Sequence, residues 1–485
     1  MSDNLVKRTK PRTAVVVVHG MGEQMPMETL NRLVKSALPK TAGITGGEPY
    51  RRYFSRDATI ADSFEARRYL APAHSGTRSY GQTEFFEYHW SYKMTGNRIG
   101  DFLPTAMRLL LRRPSSVPLG LRGVWWFIWA LVLIVVVGAA LFFWLGLVGW
   151  LGALITTILV IPGVRSLLGF LRRKTGQVFT DSFVDVVRYL DRSPRSYEVR
   201  KSIRQGMVDL LQSLQDDPRY SRVIVVAHSL GAYIAYDGIS ALWPQTSKLH
   251  CGPVDPDADA IHLDGVDELT ETAQKLSDHP ETENLTEAQQ AELDAYRKAQ
   301  VGVWRAVRKQ GNPWLITDLI TLGTPMYFAD LLFTRDRGRF DEMVRTAELP
   351  ICPPRNHDLM PQGPEPERLN YVWRNQGRQV LSHAAPFAVV RWTNMFFEAE
   401  AGWRGDWFGG RLRPLFGKGI VDMPIQGNLP HRKAPGIAHA RYFNFPDDED
   451  PDGVAKLLQS HLQLDLDLSD LLETPAFDQR SATTI

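Results

Sequence analysis

The chain has 485 residues, 44% of them hydrophobic, so it is too long for one minimal domain and has ample material for a large core. Its 56 basic and 54 acidic side chains nearly cancel, and the formal net charge of +2 excludes an electrostatic case for nucleic-acid binding. The two cysteines, Cys251 and Cys352, stand in no metal-ligand or redox spacing and indicate a reducing compartment. No motif for a metal or a phosphate-bearing cofactor occurs, so none is expected.

The N-terminal part of the chain predicts a tail followed by a buried strand. Residues 1–12 include basic side chains but no apolar segment, which favours a solvated tail over a signal peptide. Residues 13–18 are almost all apolar, which is typical of a strand buried on both faces. This strand runs into His19-Gly20-Met21-Gly22. Helical periodicity follows at 27–38, and residues 49–92 favour further strands.

Residues 123–164 are the least globular part of the sequence, because they contain no charged side chain. As a helix they would extend over about 63 Å, twice the ~30 Å hydrocarbon core of a bilayer, so two membrane passes fit better than one. Tryptophans lie at the start of the segment and beside the expected turn, as at membrane interfaces, namely Trp125, Trp126, Trp129, Trp144 and Trp150. Basic residues bracket both ends and place both in the cytoplasm. A shallow re-entrant hairpin and a buried core hairpin are the alternatives.

A buried strand and a tight turn carry the main catalytic signal. Residues 164–190 favour a helix along the membrane surface, and 197–214 an amphipathic helix. Four β-branched residues at 223–226 then precede the turn Ala227-His228-Ser229-Leu230-Gly231 and a helical pattern. This arrangement resembles the nucleophile elbow of the α/β-hydrolase superfamily, and its lipase- and esterase-like members most of all. Ala227 stands where the family usually has glycine. The alternative is a serine that only caps a helix.

The resemblance implies roles for residues around two turns. Ser229 would be the nucleophile of an acyl transfer. The His-Gly-x-Gly turn resembles the oxyanion loop of lipase-like hydrolases, so the backbone N–H groups of Met21 and Leu230 would hold the developing oxyanion. His19 and His228 flank these turns and are interpreted as shaping them.

An acidic stretch separates the serine from the rest of the fold. Residues 252–294 hold thirteen acidic side chains and one lysine, Lys275, which predicts a solvated, mobile insertion. A capping-box pattern beginning at Thr286 predicts a helix that ends near Gly311. Its apolar stripe fits either a lid over the active site or a helix packed on the core.

The catalytic acid is sought after the last strands. Residues 314–325 predict a buried strand ending in Leu-Gly-Thr-Pro, which again resembles lipases, and 387–394 predict the next strand. In the family the acid follows the serine and precedes the histidine. Asp406, in an Asp-x-x-Gly-Gly pattern, is preferred over Glu398 and Glu400, which both suit solvent. Asp422 is a further candidate that lies later in the chain.

The catalytic histidine should come last in the chain. His439 precedes an aromatic pair that resembles the family's ending, and it is preferred over His431, which lies in a basic, exposed-looking stretch. His461 lies in the predicted C-terminal helix and is interpreted as structural. Glu87 and His89 come too early for the family order and are also interpreted as structural.

These patterns together predict an α/β-hydrolase fold, a mostly parallel sheet with helices on both faces, with an inserted transmembrane helical hairpin. The expected divisions are a tail (1–12), the first part of the hydrolase domain (13–107), the membrane hairpin with its flanks (108–190), the nucleophile strand, turn and helix (191–250), the acidic insertion and possible lid helix (251–312), the C-terminal part of the hydrolase domain (313–464) and a tail (465–485).

The resemblance implies a membrane-anchored serine hydrolase that cleaves a carboxylic ester of a lipid or of another acyl group. It would need no cofactor, and its partners would be the lipid bilayer and the acyl-ester substrate, at the cytoplasmic face of the membrane. A thioesterase or acyltransferase, and a non-catalytic membrane protein that uses the scaffold for binding, are the alternative classes.

Overall fold

The structure of the protein is a computed structural model. The described residues are 12–20, 25–38, 40, 53–57, 67–71, 82–94, 107, 110–145, 186, 188–190, 194–246, 263–280, 282, 284–332, 334, 336–354, 370–373, 378–400, 404–427, 432, 437–443 and 453–464. Residues 1–11 of the predicted N-terminal tail, the predicted C-terminal tail, Met21, His431 and the second leg of the predicted membrane hairpin lie outside these residues. Arg12, the last residue of the predicted N-terminal tail, is the first residue of a strand.

Eight strands of the described part form one mixed, mostly parallel sheet, in the order β10-β9-β6-β5-β1-β4-β3-β2. From β10 to β4 all neighbours pair in parallel, whereas β3 pairs antiparallel with both β4 and β2. A separate two-stranded sheet joins β7 and β8. The strands are β1 Arg12–Val18, β2 Phe54–Asp57, β3 Arg67–Ala71, β4 Thr83–Tyr88, β5 Tyr220–His228, β6 Ile316–Leu322, β7 Asn370–Trp373, β8 Arg378–Leu381, β9 Arg391–Phe397 and β10 Val421–Ile425.

Helices alternate with these strands, as is typical of an α/β architecture. Helix α1 packs against α10, α3 against α4, and α5 against α6. The helices are α1 Glu28–Ala37, α2 Arg122–Leu145, α3 Pro194–Asp216, α4 Leu230–Thr246, α5 Val266–Asp278, α6 Glu287–Lys309, α7 Ala329–Leu332, α8 Arg337–Arg345, α9 Arg413–Phe416 and α10 Val454–Leu462.

The central strands lie inside the hydrophobic core, because parallel strands covered by helices have no solvent face. Every residue of β6 and β9 is buried, and the last five residues of β1 are buried as well. The predicted buried strands at 13–18 and 223–226 are therefore confirmed. The buried strand predicted over 314–325 is present but shorter, from Ile316 to Leu322. The predicted strand at 387–394 begins later, because residues 386–388 form a short 3₁₀ helix before β9.

The prediction that residues 252–294 form a solvated, mobile insertion is wrong for the described part. Helix α5 lies within this stretch, and it buries Val266, Leu269 and Leu276 in the main core. The acidic side chains obscured this apolar face, which recurs at helical spacing. Helix α6 begins with the predicted capping box at Thr286, and its residue Tyr296 is fully buried in the same core, as expected for a packed helix.

Helix α2 is built almost wholly from apolar residues. Among the described residues, the stretch Leu119–Gly138 is long and apolar enough to cross a membrane. In its most apolar 18-residue segment, 20% of the residues are buried within the protein. Several of its large side chains are exposed, including Trp126, Leu133 and Val136. The first leg of the predicted hairpin is therefore helical, and the turn and second leg lie outside the described residues.

Candidate active site

The candidate residues come together at one edge of the sheet. Ser229 directly follows β5, His19 and Gly20 follow β1, and Asp406 and His439 lie in the segments after β9 and β10. Because these strands are parallel, their carboxyl ends meet at the same edge, which is where open α/β sheets hold their ligands.

Ser229 occupies a strained turn between β5 and α4. Its φ of 56° lies in the left-handed region, which costs a non-glycine residue free energy and is concentrated at functional sites. Its backbone N–H donates to the carbonyl of Leu322 at 2.9 Å, which fixes the turn against β6. A Cβ at Gly231 would lie 2.5 Å from the Val18 carbonyl oxygen, so the close approach of α4 to β1 requires glycine there.

Ser229, His439 and Asp406 form a continuous hydrogen-bonded chain. His439 Nε2 lies 2.8 Å from Ser229 Oγ, and His439 Nδ1 lies 3.0 Å from Asp406 Oδ1. One neutral tautomer satisfies both contacts, with the proton on Nδ1 donated to the carboxylate and Nε2 accepting from the serine hydroxyl. All three side chains are buried.

The Asp406 carboxylate accepts two further hydrogen bonds that hold it in place. Oδ1 accepts from the backbone N–H of Phe408 at 2.8 Å, and Oδ2 accepts from the hydroxyl of Tyr442 at 2.7 Å. The same hydroxyl accepts from the backbone N–H of Phe397 at 3.0 Å. Burial and the adjacent Asp406 charge raise the pKa of Tyr442 well above its usual value, so the hydroxyl keeps its proton and remains a donor.

His19 and His228 support the site from behind the serine. His228 Nε2 donates to the carbonyl oxygen of His439 at 2.8 Å, and burial lowers the pKa of His228 to about 3, so the ring is neutral. His19 Nδ1 donates to the carbonyl of Gly20 at 2.8 Å, while its Nε2 accepts from the backbone N–H of Trp90 at 3.2 Å. Both histidines therefore fix backbone, in keeping with the shaping role predicted for them.

Of the two predicted oxyanion donors, Leu230 belongs to the described residues and Met21 does not. Leu230 is the first residue of α4, and an N–H in the first turn of a helix has no partner within the helix. It lies next to Ser229 at the positive end of the helix, which suits a developing negative charge. Met21 lies outside the described residues.

The alternative acids do not reach His439. Asp422 lies inside β10, where its carboxylate accepts from the backbone N–H groups of Leu412 and Arg413, both at 3.0 Å. Burial raises the pKa of Asp422. Glu398 faces Arg411 at 3.5 Å with half of its side chain exposed, and the backbone of Glu400 forms an isolated β-bridge.

The remaining histidine and acid candidates make other contacts. His461 lies in α10 and its Nδ1 donates to the carbonyl of Leu457 at 2.9 Å, as a structural histidine would. Glu87 accepts a short hydrogen bond from the backbone N–H of Met27, and the His89 ring stacks on Tyr92.

Sequence reasoning missed the contribution of Tyr442. It lies three residues after His439, a spacing that places it near the base, but no pattern shows that its hydroxyl reaches back to the acid. The position of Phe408 was also missed: its ring lies 4.8 Å from the His439 ring, and it follows the acid by two residues.

Comparison with known proteins identifies no relative of this chain. No protein-family model, curated protein or solved structure matches the chain. Within the described residues no group of three or more histidine, cysteine or acidic side chains could hold a metal ion. The functional argument therefore depends on the geometry of the site itself.

Proposed function

We propose that this protein is a membrane-anchored serine hydrolase of the α/β-hydrolase class that cleaves a carboxylic ester of a lipid or another acyl group. The observation that carries the proposal is the hydrogen-bonded chain from Ser229 through His439 to Asp406, at 2.8 and 3.0 Å. A serine hydroxyl is a weak nucleophile at neutral pH, and this arrangement supplies the base and the orienting acid that it needs.

The sheet supports the fold assignment. The serine strand β5 pairs in parallel with β1 on one side and β6 on the other, and the serine turn leads directly into α4. The order along the chain is serine, acid, histidine, which is the order of α/β-hydrolases. The antiparallel β2 and β3 lie at the far edge of the sheet, away from the site.

The proposed reaction proceeds through an acyl-enzyme. Ser229 Oγ attacks the ester carbonyl carbon while His439 Nε2 takes the hydroxyl proton, and the Leu230 and Met21 N–H groups stabilise the oxyanion. Collapse of the tetrahedral intermediate breaks the ester C–O bond, and His439 returns the proton to the leaving alcohol. Water then attacks the acyl-enzyme by the same steps, which releases the acid and restores Ser229.

The apolar helix supports a membrane anchor. The 24 residues of α2 extend over about 36 Å, enough to cross the ~30 Å hydrocarbon core. Arg112 and Arg113 precede α2 and Arg122 is its first residue, so the positive-inside rule favours a position of the catalytic domain at the cytoplasmic face. The anchor predicts that alkaline carbonate leaves the protein in the membrane pellet, and release into the supernatant would contradict it.

Fluorophosphonate labelling tests the hydrolase assignment. Wild-type protein should be labelled and should hydrolyse p-nitrophenyl esters, whereas Ser229→Ala should do neither. Ser240→Ala is a matched control, because it removes another serine hydroxyl from α4, and that hydroxyl has no hydrogen-bond partner among the described residues. Equal lack of labelling in wild type and Ser229→Ala under several detergent conditions would refute the hydrolase and favour a binding role. Esters of graded chain length, with and without lipid, then define the substrate.

A further inference from the structure

The start of the apolar helix packs on the loop that carries Asp406. A second hydrophobic cluster, separate from the main core, joins residues before and within α2 to residues after Asp406 and to the segment after β6. We call this cluster the helix foot; it contains Val117, Leu121, Trp125, Phe328, Leu331, Trp407 and Phe408.

The foot approaches the acid loop at backbone distance. A Cβ at Gly120 would lie 2.9 Å from both the Cα and the carbonyl oxygen of Trp407, and 3.2 Å from the carbonyl oxygen of Asp406. Only a residue without a side chain fits there, so the segment before α2 lies directly on the loop. The hydroxyl of Tyr327 donates to the Trp407 carbonyl at 2.8 Å.

Phe408 connects the foot to both partners of Ser229. Its backbone N–H donates to Asp406 Oδ1 at 2.8 Å, and its ring lies 4.8 Å from the His439 ring. Phe408 and Trp407 are buried by the foot, so loss of its packing frees the two residues that follow the acid.

Beyond the foot, α2 leaves the domain. Trp125 is buried in the foot, but Trp126, Leu133 and Val136 are 57%, 62% and 57% exposed. These large apolar side chains lie on a helix of membrane-spanning length that follows basic residues. The hydrocarbon of a bilayer is the environment that suits such a surface. The indole N–H groups of Trp125 and Trp129 both donate to the Leu110 carbonyl, which ties this helix to the chain before it.

We propose that the helix foot positions Asp406 and thereby couples the catalytic site to the bilayer around α2. The inference rests on the proposed hydrolase function. A change in the tilt of α2 in the membrane is transmitted through Gly120 and Trp125 to the acid loop, and thence to the base. Residues of the foot are positioning residues, since none of them touches the reacting atoms.

A packing variant tests the first part. In phospholipid nanodiscs with a soluble short-chain p-nitrophenyl ester, Trp125→Ala should lower kcat at least tenfold with KM changed less than twofold, because small displacements of catalytic groups are costly. Trp125→Phe should restore most of kcat, because the phenylalanine ring fills most of the space in the foot. The indole N–H of Trp129 still donates to the Leu110 carbonyl in this variant. Leu133→Ala, on the exposed part of the same helix, should match wild type.

A double-mutant cycle separates positioning from a general loss of fold. In an Asp406→Ala background, Trp125→Ala should change residual kcat less than twofold, because the residue it positions is gone. If the two substitutions are additive, Trp125 does not act through Asp406 and the proposal is overturned. If Trp125→Ala does not fold, Trp125→Leu takes its place in the same cycle, and additivity with Asp406→Ala again overturns the proposal. Faster hydrogen exchange of the 404–412 segment in that variant then shows that the acid loop has loosened.

Bilayer thickness tests the second part. Helices respond to hydrophobic mismatch by tilting, so wild-type kcat for the soluble ester should change severalfold between nanodiscs of short-chain and long-chain lipids. Trp125→Ala should show no such dependence. A wild-type kcat independent of thickness overturns the coupling to the bilayer. Absence of any Ser229-dependent hydrolysis in wild type would instead refute the proposed function, so the two failures are distinguishable.

Discussion

Tyr442→Phe removes one hydroxyl and two buried hydrogen bonds. The hydroxyl donates to Asp406 Oδ2 at 2.7 Å and accepts from the Phe397 N–H at 3.0 Å, and Tyr442 is 2% exposed. Hydrogen bonds to charged groups contribute about 1.5–3 kcal/mol, and a buried amide left without a partner costs about 1–3 kcal/mol. We therefore expect the free energy of unfolding to fall by about 2.5–6 kcal/mol.

We expect Tyr442→Phe to lower kcat only by loosening the Asp406 carboxylate. Asp406 keeps its bonds to His439 and to the Phe408 N–H, so the carboxylate is loosened but not lost. If the full 1.5–3 kcal/mol of the Tyr442 bond to Asp406 serves orientation, kcat falls about 10- to 150-fold, at about 1.36 kcal/mol per factor of ten. KM should stay nearly constant, because Tyr442 does not contact the serine turn through its hydroxyl.

The assay combines ester hydrolysis, active-site titration with a fluorophosphonate and thermal melting. An unfolding entropy of ~2.1 cal/mol/K per residue gives about 1 kcal/mol/K for this chain, so the midpoint should fall by about 2.5–6 °C. Asp406→Asn sets the upper limit of the catalytic loss. If Tyr442→Phe keeps kcat per titrated site within twofold of wild type while Asp406→Asn loses far more, the orienting role assigned to Tyr442 is wrong.

Two further predictions concern the choice of acid and acid stability. Asp422→Asn should retain at least a tenth of wild-type kcat, whereas Asp406→Asn should lose about 10³-fold or more because the base loses its orienting partner; equal losses, measured per folded molecule, would contradict the assignment. Burial lowers the pKa of His19 to about 3 and of His461 to about 4, below the usual 6.5. The unfolded state thus binds more protons below pH 6.5, and each histidine should lower stability by about 1.4 kcal/mol per pH unit from there down to its folded pKa. His461→Leu should flatten the fall of the melting midpoint between pH 6.5 and 5, and an unchanged slope would contradict this.

The strands and turns that build the site follow from local sequence. Runs of β-branched residues specify β1 and β5, and the small residues Ala227 and Gly231 lie two positions before and after Ser229, whose φ is positive. The capping box at Thr286 is likewise a local signal, and both of its hydrogen bonds form. Local signals of this kind are strong because the same few residues both carry the pattern and make the contacts.

The failures arise where the deciding contact is distant in sequence. Helix α5 was obscured by its acidic solvent face, although Leu269 is fully buried against α6 and the core. The choice of Asp406 over Asp422 came from its Asp-x-x-Gly-Gly pattern and from its position in the first loop after β9, and the fold supplies the contacts: Asp406 meets His439, whereas Asp422 accepts from backbone N–H groups. The pattern carries no information on these partners, because burial and partner are both properties of the tertiary structure.

The register of three central strands, β5, β6 and β9, is fixed at the end of the sheet opposite the site. Asp318 in β6 accepts from Arg222 of β5 at 2.8 Å and pairs with Arg391 of β9 at 2.7 Å, so one carboxylate joins three neighbouring strands. Burial alone raises the pKa of Asp318, but the two guanidinium charges outweigh it and lower that pKa to about 2. Because a slip of one residue would invert every side chain and separate the ion pairs, this cluster favours the single register in which Ser229 and the acid loop reach the same edge. The serine turn is therefore aligned with its partners by buried charges that take no part in the chemistry.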